Sequence, residues 1–202
     1  PIIDEEVELL TFNLDKFHRI GVDIFTPGLN TVKVCRNKYD TFEFIKKITP
    51  EIYVKTEFLK DYDNQFALPA FAKPVAGRAS IDCMKIENME DLFYLRTKKG
   101  FLSELIIQPL CTGNIVSVDL IRDSRTNSTK IAIRRELLRN GNGAAIAVEF
   151  VENKYLEDIC SKVAGALDVD GVINFEFFEE CSTYKLIEIN PRFPAGTEFT
   201  CL

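Results

Sequence analysis

Residues 184–193, "YKLIEINPRF", carry an acid, an amide and an arginine on a segment that otherwise has the composition of a buried strand. The preceding segment, residues 171–180, "GVINFEFFEE", is also rich in β-branched and aromatic residues. Only residues 181–183, "CST", lie between the two segments. Two such segments around a short polar turn predict a β-hairpin. Period-two alternation then points Glu188 and Asn190 to one face, and Glu176 of the first strand can join them across the turn.

This predicted face offers two carboxylates and an amide oxygen. Such hard oxygen donors suit Mg²⁺, which takes a few protein ligands and completes its coordination shell with water and phosphate. Arg192, just beyond the second strand, could hold a phosphate oxygen that the metal shares. The hairpin alone leaves an alternative open, in which these residues are the solvent-facing side chains of a half-exposed strand.

Helical and strand patterns are interleaved along the rest of the chain. Helical periodicity appears in residues 11–21, 37–48, 88–99 and 153–167. Strand patterns appear in residues 52–56, 70–74, 81–86, 104–110, 114–123, 128–137, 171–180 and 184–191. A second hairpin is predicted around the turn "SRTN", so the sheets should be largely antiparallel. The fold class predicted is therefore α+β rather than a doubly wound sheet.

The composition excludes several classes of partner. The chain has 31 acidic against 25 basic residues and a net charge of -6, and no basic block suggests a nucleic-acid or anionic-membrane surface. No apolar run approaches the roughly 20 residues that cross a bilayer. The six cysteines are scattered without a close pair, which favours reduced thiols over a zinc site or a disulfide framework. We therefore expect a cytoplasmic protein.

Two lysines stand where phosphate could bind. Lys73 ends a predicted strand and precedes a loop in which Gly77 permits close backbone approach and Ser80 could donate hydrogen bonds to oxygens. Lys38 lies at a predicted helix start capped by Asn37, where free amides favour anions. An ordinary turn of small residues and a surface lysine are the alternatives that the local patterns leave open.

Five segments, in this order, resemble successive motifs of the ATP-grasp superfamily, closest to members like the carbamoyl-phosphate synthase large subunit. They are "CRNKYDTFEFI", "FAKPVAGRAS", "IIQPLCTGNIVSVDL", "RRELLRNGNG" and "GVINFEFF…YKLIEINPRFPAGT". The resemblance spans nearly the whole chain. It implies an ATP-grasp domain of two α+β lobes over residues 37–202, with a small lobe at about 70–112 and a metal-binding lobe at about 113–202. Residues 1–36 resemble the tail of a preceding Rossmann-like domain, and the chain ends predict a fragment of a longer protein.

The resemblance also implies a nucleotide site between the lobes. By motif, Lys38 and Lys73 would contact the α- and β-phosphates of ATP, and the loop from Gly77 to Ser80 would close over the β- and γ-phosphates. Backbone groups of a hinge between the lobes would hold the adenine. That hinge would consist of Gln108, Pro109, Leu110 and Cys111.

For the chemistry, the resemblance implies an ATP-dependent ligase with Mg²⁺, or Mn²⁺, held by Glu176, Glu188 and Asn190. Arg192 and Arg139 would steady the phosphoryl group while it passes to a small-molecule carboxylate. An amine or ammonia would then attack the acyl phosphate, with ADP and phosphate released. The family-level expectation for assembly is a homodimer.

Two other functions remain open at this stage. The first is a non-catalytic nucleotide-binding or regulatory protein on the same fold, which would bind nucleotide without turnover. The second is a hydrolase that uses Glu176 and Glu188 as paired carboxylates, although it leaves the lysines and Arg192 without a role.

Overall fold

The chain folds into two antiparallel sheets with helices packed beside them, and a computed structural model describes residues 1–64, 66–77, 80–97, 104–141, 143–194 and 196–201. Its helices are α1 (Asp4–Phe12), α2 (Leu14–His18), α3 (Leu29–Arg36), α4 (Lys38–Ile48), α5 (Met89–Thr97), α6 (Lys154–Ala166) and α7 (Thr197–Thr200), with a 3-10 turn at Pro50–Ile52. Its strands are β1 (Glu57–Phe58), β2 (Ala70–Pro74), β3 (Met84–Ile86), β4 (Leu105–Pro109), β5 (Asn114–Asp123), β6 (Ser128–Arg139), β7 (Ala145–Phe150), β8 (Gly171–Glu180) and β9 (Thr183–Asn190). Within these ranges no helix is long and apolar enough to cross a membrane.

The sheets have four and five strands. The smaller sheet has the order β1-β4-β2-β3 and the larger sheet the order β7-β6-β5-β8-β9, and every neighbouring pair is antiparallel. Both predicted hairpins, β5 with β6 and β8 with β9, are present. The α+β prediction with largely antiparallel sheets is confirmed.

Each sheet has its own apolar core. In the larger one, alternate residues of β5 and β8, such as Val118 and Phe175, are fully buried and pack with the apolar faces of α4 and α6. In the smaller one, Ile86 and Leu92 pack with neighbours from β2 and β4. Burying a side chain of this size stabilises the fold by roughly 1.5–3 kcal/mol. The other face of the larger sheet is therefore left for polar residues.

Strand β9 contains a β-bulge that changes which residues face the core. Phe177 pairs with Leu186, but Glu176, the residue before Phe177 in β8, pairs with Glu188. Ile187 is therefore the extra residue in β9. Strict alternation would place Leu186 and Glu188 on one face. The bulge instead lets Leu186 pack in the apolar core while Glu188 lies on the opposite, polar face.

Some predicted elements differ from the structure. Residues 52–56 do not form a strand, because Pro50 starts a 3-10 turn and only Glu57–Phe58 pairs with β4. The helix predicted over residues 11–21 is interrupted at Asn13, whose side chain donates a hydrogen bond to the Leu9 carbonyl at 2.7 Å and closes α1. Helix α3, residues 4–10 of α1, the short helix α7 and the edge strand β7 were not predicted. The division at residue 36 and the lobe boundaries stay predictions.

Candidate functional site

A cleft of about 380 Å³ lies between the two sheets. Lys73 and the hinge residues line it from the smaller sheet, while Glu176 and Glu188 line it from the larger one. The apolar part lies beside the hinge, where Ile115 and Phe178 contribute side chains. The cleft thus has an apolar end for a flat ring and a charged end for an ionic group.

Glu176 and Glu188 lie directly opposite each other on β8 and β9. Like charges in this position destabilise a sheet. Burial first, and then the charge of Glu188, raise the pKa of Glu176 well above its ordinary value. Burial and a like charge thus both disfavour the ionised form of Glu176, and a cation bound at the pair would offset them.

Two cationic side chains reach this pair. The Nη2 of Arg139 lies 3.2 Å from the Oε2 of Glu176, while its Nε contacts Glu136. The Nζ of Lys38 lies 4.0 Å from the Oε2 of Glu188 and donates a hydrogen bond to the Gly77 carbonyl at 2.8 Å. Arg139 thus approaches the carboxylates from β6 of the larger sheet, and Lys38 approaches them from the start of α4.

Asn190 and Arg192 are also held in defined contacts. The Asn190 Nδ2 donates to Glu188 Oε1 at 3.2 Å, and its Oδ1 accepts from Arg192 Nη2 at 3.3 Å. Arg192 Nε donates to Asp4 Oδ1 at 2.6 Å, so α1 holds the arginine at the cleft wall. Asp4 also lies 3.5 Å from Arg36. The sequence did not indicate that Asp4 would reach this site.

Lys73 crosses from the smaller sheet to the larger one. Its Nζ donates to the carbonyl of Ile187, the bulge residue, at 2.9 Å and lies 5.0 Å from the centre of the Phe42 ring. The side chain is 6% exposed. Burial lowers the pKa of Lys73 to about 8, although the charge of Glu188 opposes this shift. The ammonium is thus weakly solvated beside the carboxylates.

The predicted phosphate loop is described in part. Gly77 and Ser80 line the cleft, and both have positive φ, at 156° and 55°. Residues 78 and 79, which complete the predicted loop, lie outside the described residues. The backbone N–H of Lys38 donates to the Val75 carbonyl at 2.8 Å, which ties the start of α4 to the strand that leads into this loop.

The predicted hinge offers backbone rather than side-chain polar groups. Gln108 turns its side chain away, because its Nε2 donates to Thr56 Oγ1 at 2.7 Å inside the smaller sheet. The N–H of Leu110 is used by the Pro69 carbonyl at 3.1 Å. Pro109, Leu110 and Cys111 line the cleft. The structure therefore brings these predicted residues to the apolar end, and their role in binding adenine stays a prediction.

Gly113, just after the hinge, has a structural requirement for glycine. Its φ is +132°, and a Cβ there would lie 2.2 Å from the carbonyl oxygen of Glu179. Any side chain would force the hinge away from β8. Close approach of the two segments brings the apolar end of the cleft against the larger sheet.

The donor set at the charged end fits Mg²⁺ better than a softer metal. Among the described residues, no group of three or more His, Cys, Asp or Glu side chains could hold a metal ion. Glu176 and Glu188 offer hard oxygen atoms, whereas Asn190, the third predicted ligand, turns its NH₂ group to Glu188 and its oxygen to Arg192. Such a small set suits an ion that keeps water and phosphate among its ligands.

The polar face of the larger sheet contains residues that the sequence analysis did not single out. Ser117 and Asp119 of β5 and Asn174 of β8 lie on the same face as Glu176 and are buried. Arg134 of β6 lies opposite Ser117 and pairs with Asp119 at 2.6 Å. Polar residues two apart on β5 and β8, at matching positions of a predicted sheet, were the available signal.

Solved structures of the same fold include two carboxylases and a ribonucleotide synthetase. Rhizobium etli pyruvate carboxylase T882A matches with a TM-score of 0.76 and 15% identity, over 96% of this chain and 19% of that chain. N5-carboxyaminoimidazole ribonucleotide synthetase from Thermotoga maritima matches with a TM-score of 0.68 and 22% identity, over 95% and 51%.

A third match is the biotin carboxylase domain of Hydrogenobacter thermophilus 2-oxoglutarate carboxylase, in complex with MgADP, ADP and bicarbonate. Its TM-score is 0.75 at 14% identity, over 93% of this chain and 46% of that chain. The chain thus spans about half or less of the length of these three proteins. At these identities the likeness shows the fold.

A family model covers the second half of the chain. It is described as ATP-grasp in the biosynthetic pathway with Ter operon, and it matches residues 101–202, which contain the hinge, Arg139, both carboxylates, Asn190 and Arg192. The ATP-grasp resemblance of the sequence motifs is therefore confirmed. The chain belongs to this ATP-grasp family.

Proposed function

We propose that the chain is the nucleotide-binding part of an ATP- and Mg²⁺-dependent ligase that activates a small-molecule carboxylate for attack by an amine or ammonia. The observation that carries the proposal is the charged end of the cleft. There Glu176 and Glu188 face each other, and Lys73 enters from the other sheet. The MgADP in the related H. thermophilus structure supports a metal–nucleotide ligand of this kind.

In this proposal, different residues of the cleft hold different parts of the nucleotide. The hinge backbone at Pro109 and Cys111 and the apolar wall hold the adenine. Lys73 and Lys38 lie where the phosphate chain passes between the sheets, and their charges offset the charge of the phosphates. Glu176 and Glu188, with Asn190 beside them, would hold Mg²⁺, which would supply positive charge against the phosphates.

The reaction then needs positioned charges rather than a side-chain nucleophile. A carboxylate oxygen of the acceptor attacks the γ-phosphorus, the bond from phosphorus to the ADP oxygen breaks, and an acyl phosphate forms. The amine attacks the acyl carbon and phosphate leaves. Arg192, held by Asp4, and Arg139, held by Glu136 and Glu176, are placed to stabilise the anionic transition state.

A calorimetric titration tests the binding step. ATP is titrated into the full chain with Mg²⁺ and with a chelator, and into the variants Glu188→Gln and Glu180→Gln. Glu180 lies at the exposed turn end of the same hairpin and is the matched control for loss of one carboxylate charge. We expect Mg²⁺-dependent binding that Glu188→Gln weakens at least roughly tenfold, in line with the loss of a metal-coordinating group, and that Glu180→Gln leaves unchanged.

Turnover is tested separately by ADP release in a panel of small carboxylates with ammonia or amines. Release that depends on both substrates supports the ligase. Mg²⁺-dependent binding without release under any pair would support the non-catalytic nucleotide-binding alternative. Absence of nucleotide binding by the intact chain would overturn the proposed function.

A further inference from the structure

A chain of buried hydrogen bonds on the polar face of the larger sheet ends at Asn190. Arg134 Nη2 donates to Asp119 Oδ2 at 2.6 Å, and Asn174 Nδ2 donates to Asp119 Oδ1 at 2.8 Å. Asn174 Oδ1 in turn accepts from Asn190 Nδ2 at 3.3 Å, and Asn190 Oδ1 accepts from Arg192. Arg134 is 2% exposed and Asn174 is fully buried, so water does not compete with these contacts.

A charged group at each end, Asp119 and Arg192, fixes the donor-to-acceptor direction of this series of hydrogen bonds. A carboxylate accepts hydrogen bonds only, so Asp119 requires the NH₂ group of Asn174 to face it. The Asn174 oxygen is thereby turned to Asn190. A guanidinium donates only, so Arg192 requires the Asn190 oxygen to face it. Each amide is therefore held in the one orientation that satisfies both of its neighbours.

Turning either amide over would place like groups together. A reversed Asn174 would set its oxygen against the Asp119 carboxylate. A reversed Asn190 would set its oxygen against Glu188 and its NH₂ group against Arg192. Each reversal leaves buried polar groups unsatisfied, at a cost of about 1–3 kcal/mol per group.

We infer that Asn174 is a positioning residue that keeps the Asn190 NH₂ group on Glu188, and so holds that carboxylate in place for the cation at the Glu176–Glu188 pair. The inference rests on the proposed function for the identity of that cation. Asn174 does so through Asp119, whose own position Arg134 and the Thr200 hydroxyl fix. Arg134 also donates to the Gly196 carbonyl at 2.5 Å, so the segment after β9 is anchored to the same network.

Two variants remove the hydrogen bond between Asn174 and Asn190, and a third variant serves as the control. Asn174→Leu keeps the approximate volume but cannot hydrogen-bond, whereas Asn174→Ser keeps a hydroxyl near Asp119 but cannot reach Asn190 and is the variant to use if the leucine prevents folding. Ser117→Ala removes a second acceptor of Asn174 Nδ2, at 2.9 Å, while Asp119 still sets the direction. Thermal unfolding of each full-length variant confirms folding.

The first readout is Mn²⁺ affinity in the presence of ATP, followed by electron paramagnetic resonance, beside ATP affinity measured in chelator. Loss of a residue that orients a metal ligand typically weakens metal binding by roughly 10–100-fold. We expect that loss in both Asn174 variants with metal-free ATP affinity unchanged, and no loss in Ser117→Ala. Equal Mn²⁺ affinity in wild type and Asn174→Leu would overturn the inference while leaving the proposed function intact.

The second readout needs no ligand. In protein labelled with ¹⁵N-asparagine, the Asn190 side-chain NH₂, assigned with Asn190→Asp, should exchange slowly with solvent in the wild type and rapidly in the Asn174 variants. An unchanged exchange rate of the Asn190 NH₂ group would also overturn the inference about Asn174. Failure of the wild type to bind Mn²⁺ with ATP would instead overturn the proposed function, and with it the assignment of the cation.

Discussion

Lys73 carries a charge into a part of the molecule where burial disfavours it. Only the Ile187 carbonyl, the Phe42 ring face and the more distant Glu188 offset that cost among the contacts described. Burial depresses the pKa to about 8 from its ordinary 10.5. Such a lysine contributes little to folding at neutral pH and is retained more readily for binding an anion than for stability.

The shifted pKa of Lys73 predicts a pH dependence of stability. The folded chain gives up this proton near pH 8, whereas the unfolded chain keeps it to about pH 10.5, so unfolding takes up a proton in that window. Stability in urea should therefore rise as the pH is raised from 8 towards 10.5, by up to the order of 3 kcal/mol, relative to Lys73→Met. The exposed Lys85→Met is the control. Parallel curves for wild type and Lys73→Met would contradict the depressed pKa.

At the residue scale, sequence alternation was enough to place Glu188 and Asn190 on one face, but the bulge at Ile187, which alternation does not predict, is what brings Glu176 to the same face. Alternation could not reveal that Arg192 pairs with Asp4, because the two are separated by most of the chain. Nor could it show that Arg134 and Asp119 set the orientation of Asn174. Contacts of this kind depend on which strands become neighbours, and no local pattern encodes that.

At the scale of elements, the N-cap residue of α6, Asn153, joins this helix to the hairpin of β8 and β9. Asn153 accepts from the Leu156 N–H at 3.1 Å as the N-cap, and its Nδ2 donates to the Tyr184 hydroxyl at 2.7 Å. One side chain thus starts the helix and links it to β9. The helix buries Leu156 and Val163 against the same core as the hairpin.

These two bonds can be separated by substitution. Asn153→Asp keeps the cap acceptor but loses the donor, and should lower the free energy of unfolding by about 1 kcal/mol. Asn153→Ala loses both and should cost roughly 2 kcal/mol. Asn37→Ala, which removes the cap of α4 alone, should cost about 1 kcal/mol and calibrates the comparison. A free energy of unfolding for Asn153→Asp equal to that of the wild type in urea titrations would show that the tyrosine bond contributes nothing.

The elements that sequence patterns predicted well have strong local signals. Helices α4 and α6 begin at asparagine caps and show clear periodicity, and the two hairpins have short polar turns. The half-exposed edge strand β7 lacks regular alternation of buried and exposed residues. Residues 52–56 have strand-forming side chains, but no neighbouring strand pairs with them until Glu57. Pairing, rather than propensity, decided that segment.

At the scale of the whole molecule, the reactivity of the cysteine thiols can show where a nucleotide binds. Cys83 and Cys111 line the cleft on the side of the smaller sheet, whereas Cys181 and Cys201 are exposed. Burial raises the pKa of both cleft thiols, so they should react slowly with alkylating reagents at neutral pH. The exposed pair provides an internal reference in the same molecule.

We expect Mg²⁺ with ATP to slow alkylation of Cys83 and Cys111 at least roughly tenfold when the site is nearly saturated, because a ligand that covers a thiol leaves only the free fraction to react. Cys181 and Cys201 should label at unchanged rates. Mass spectrometry of tryptic peptides measures all four together. Protection spread equally over the exposed thiols would point to general tightening of the fold rather than to a ligand in the cleft.

The arrangement of the two sheets around the cleft is the part that no periodicity could predict. The order of five motifs indicated it by resemblance, since the motif set is tied to one fold. The physical reason for the juxtaposition lies in contacts between distant segments, such as Lys73 with Ile187 and the close approach of Gly113 to Glu179.

The extra residue at Ile187 decides where β9 can lose a residue. If residue 187 were deleted, Leu186 and Glu188 would become neighbours, and regular alternation would keep them on opposite faces of the sheet. The carbonyl that accepts a hydrogen bond from Lys73 would be lost with it. An alignment can therefore place a one-residue gap at position 187 and still assign every following residue to the correct face of the sheet.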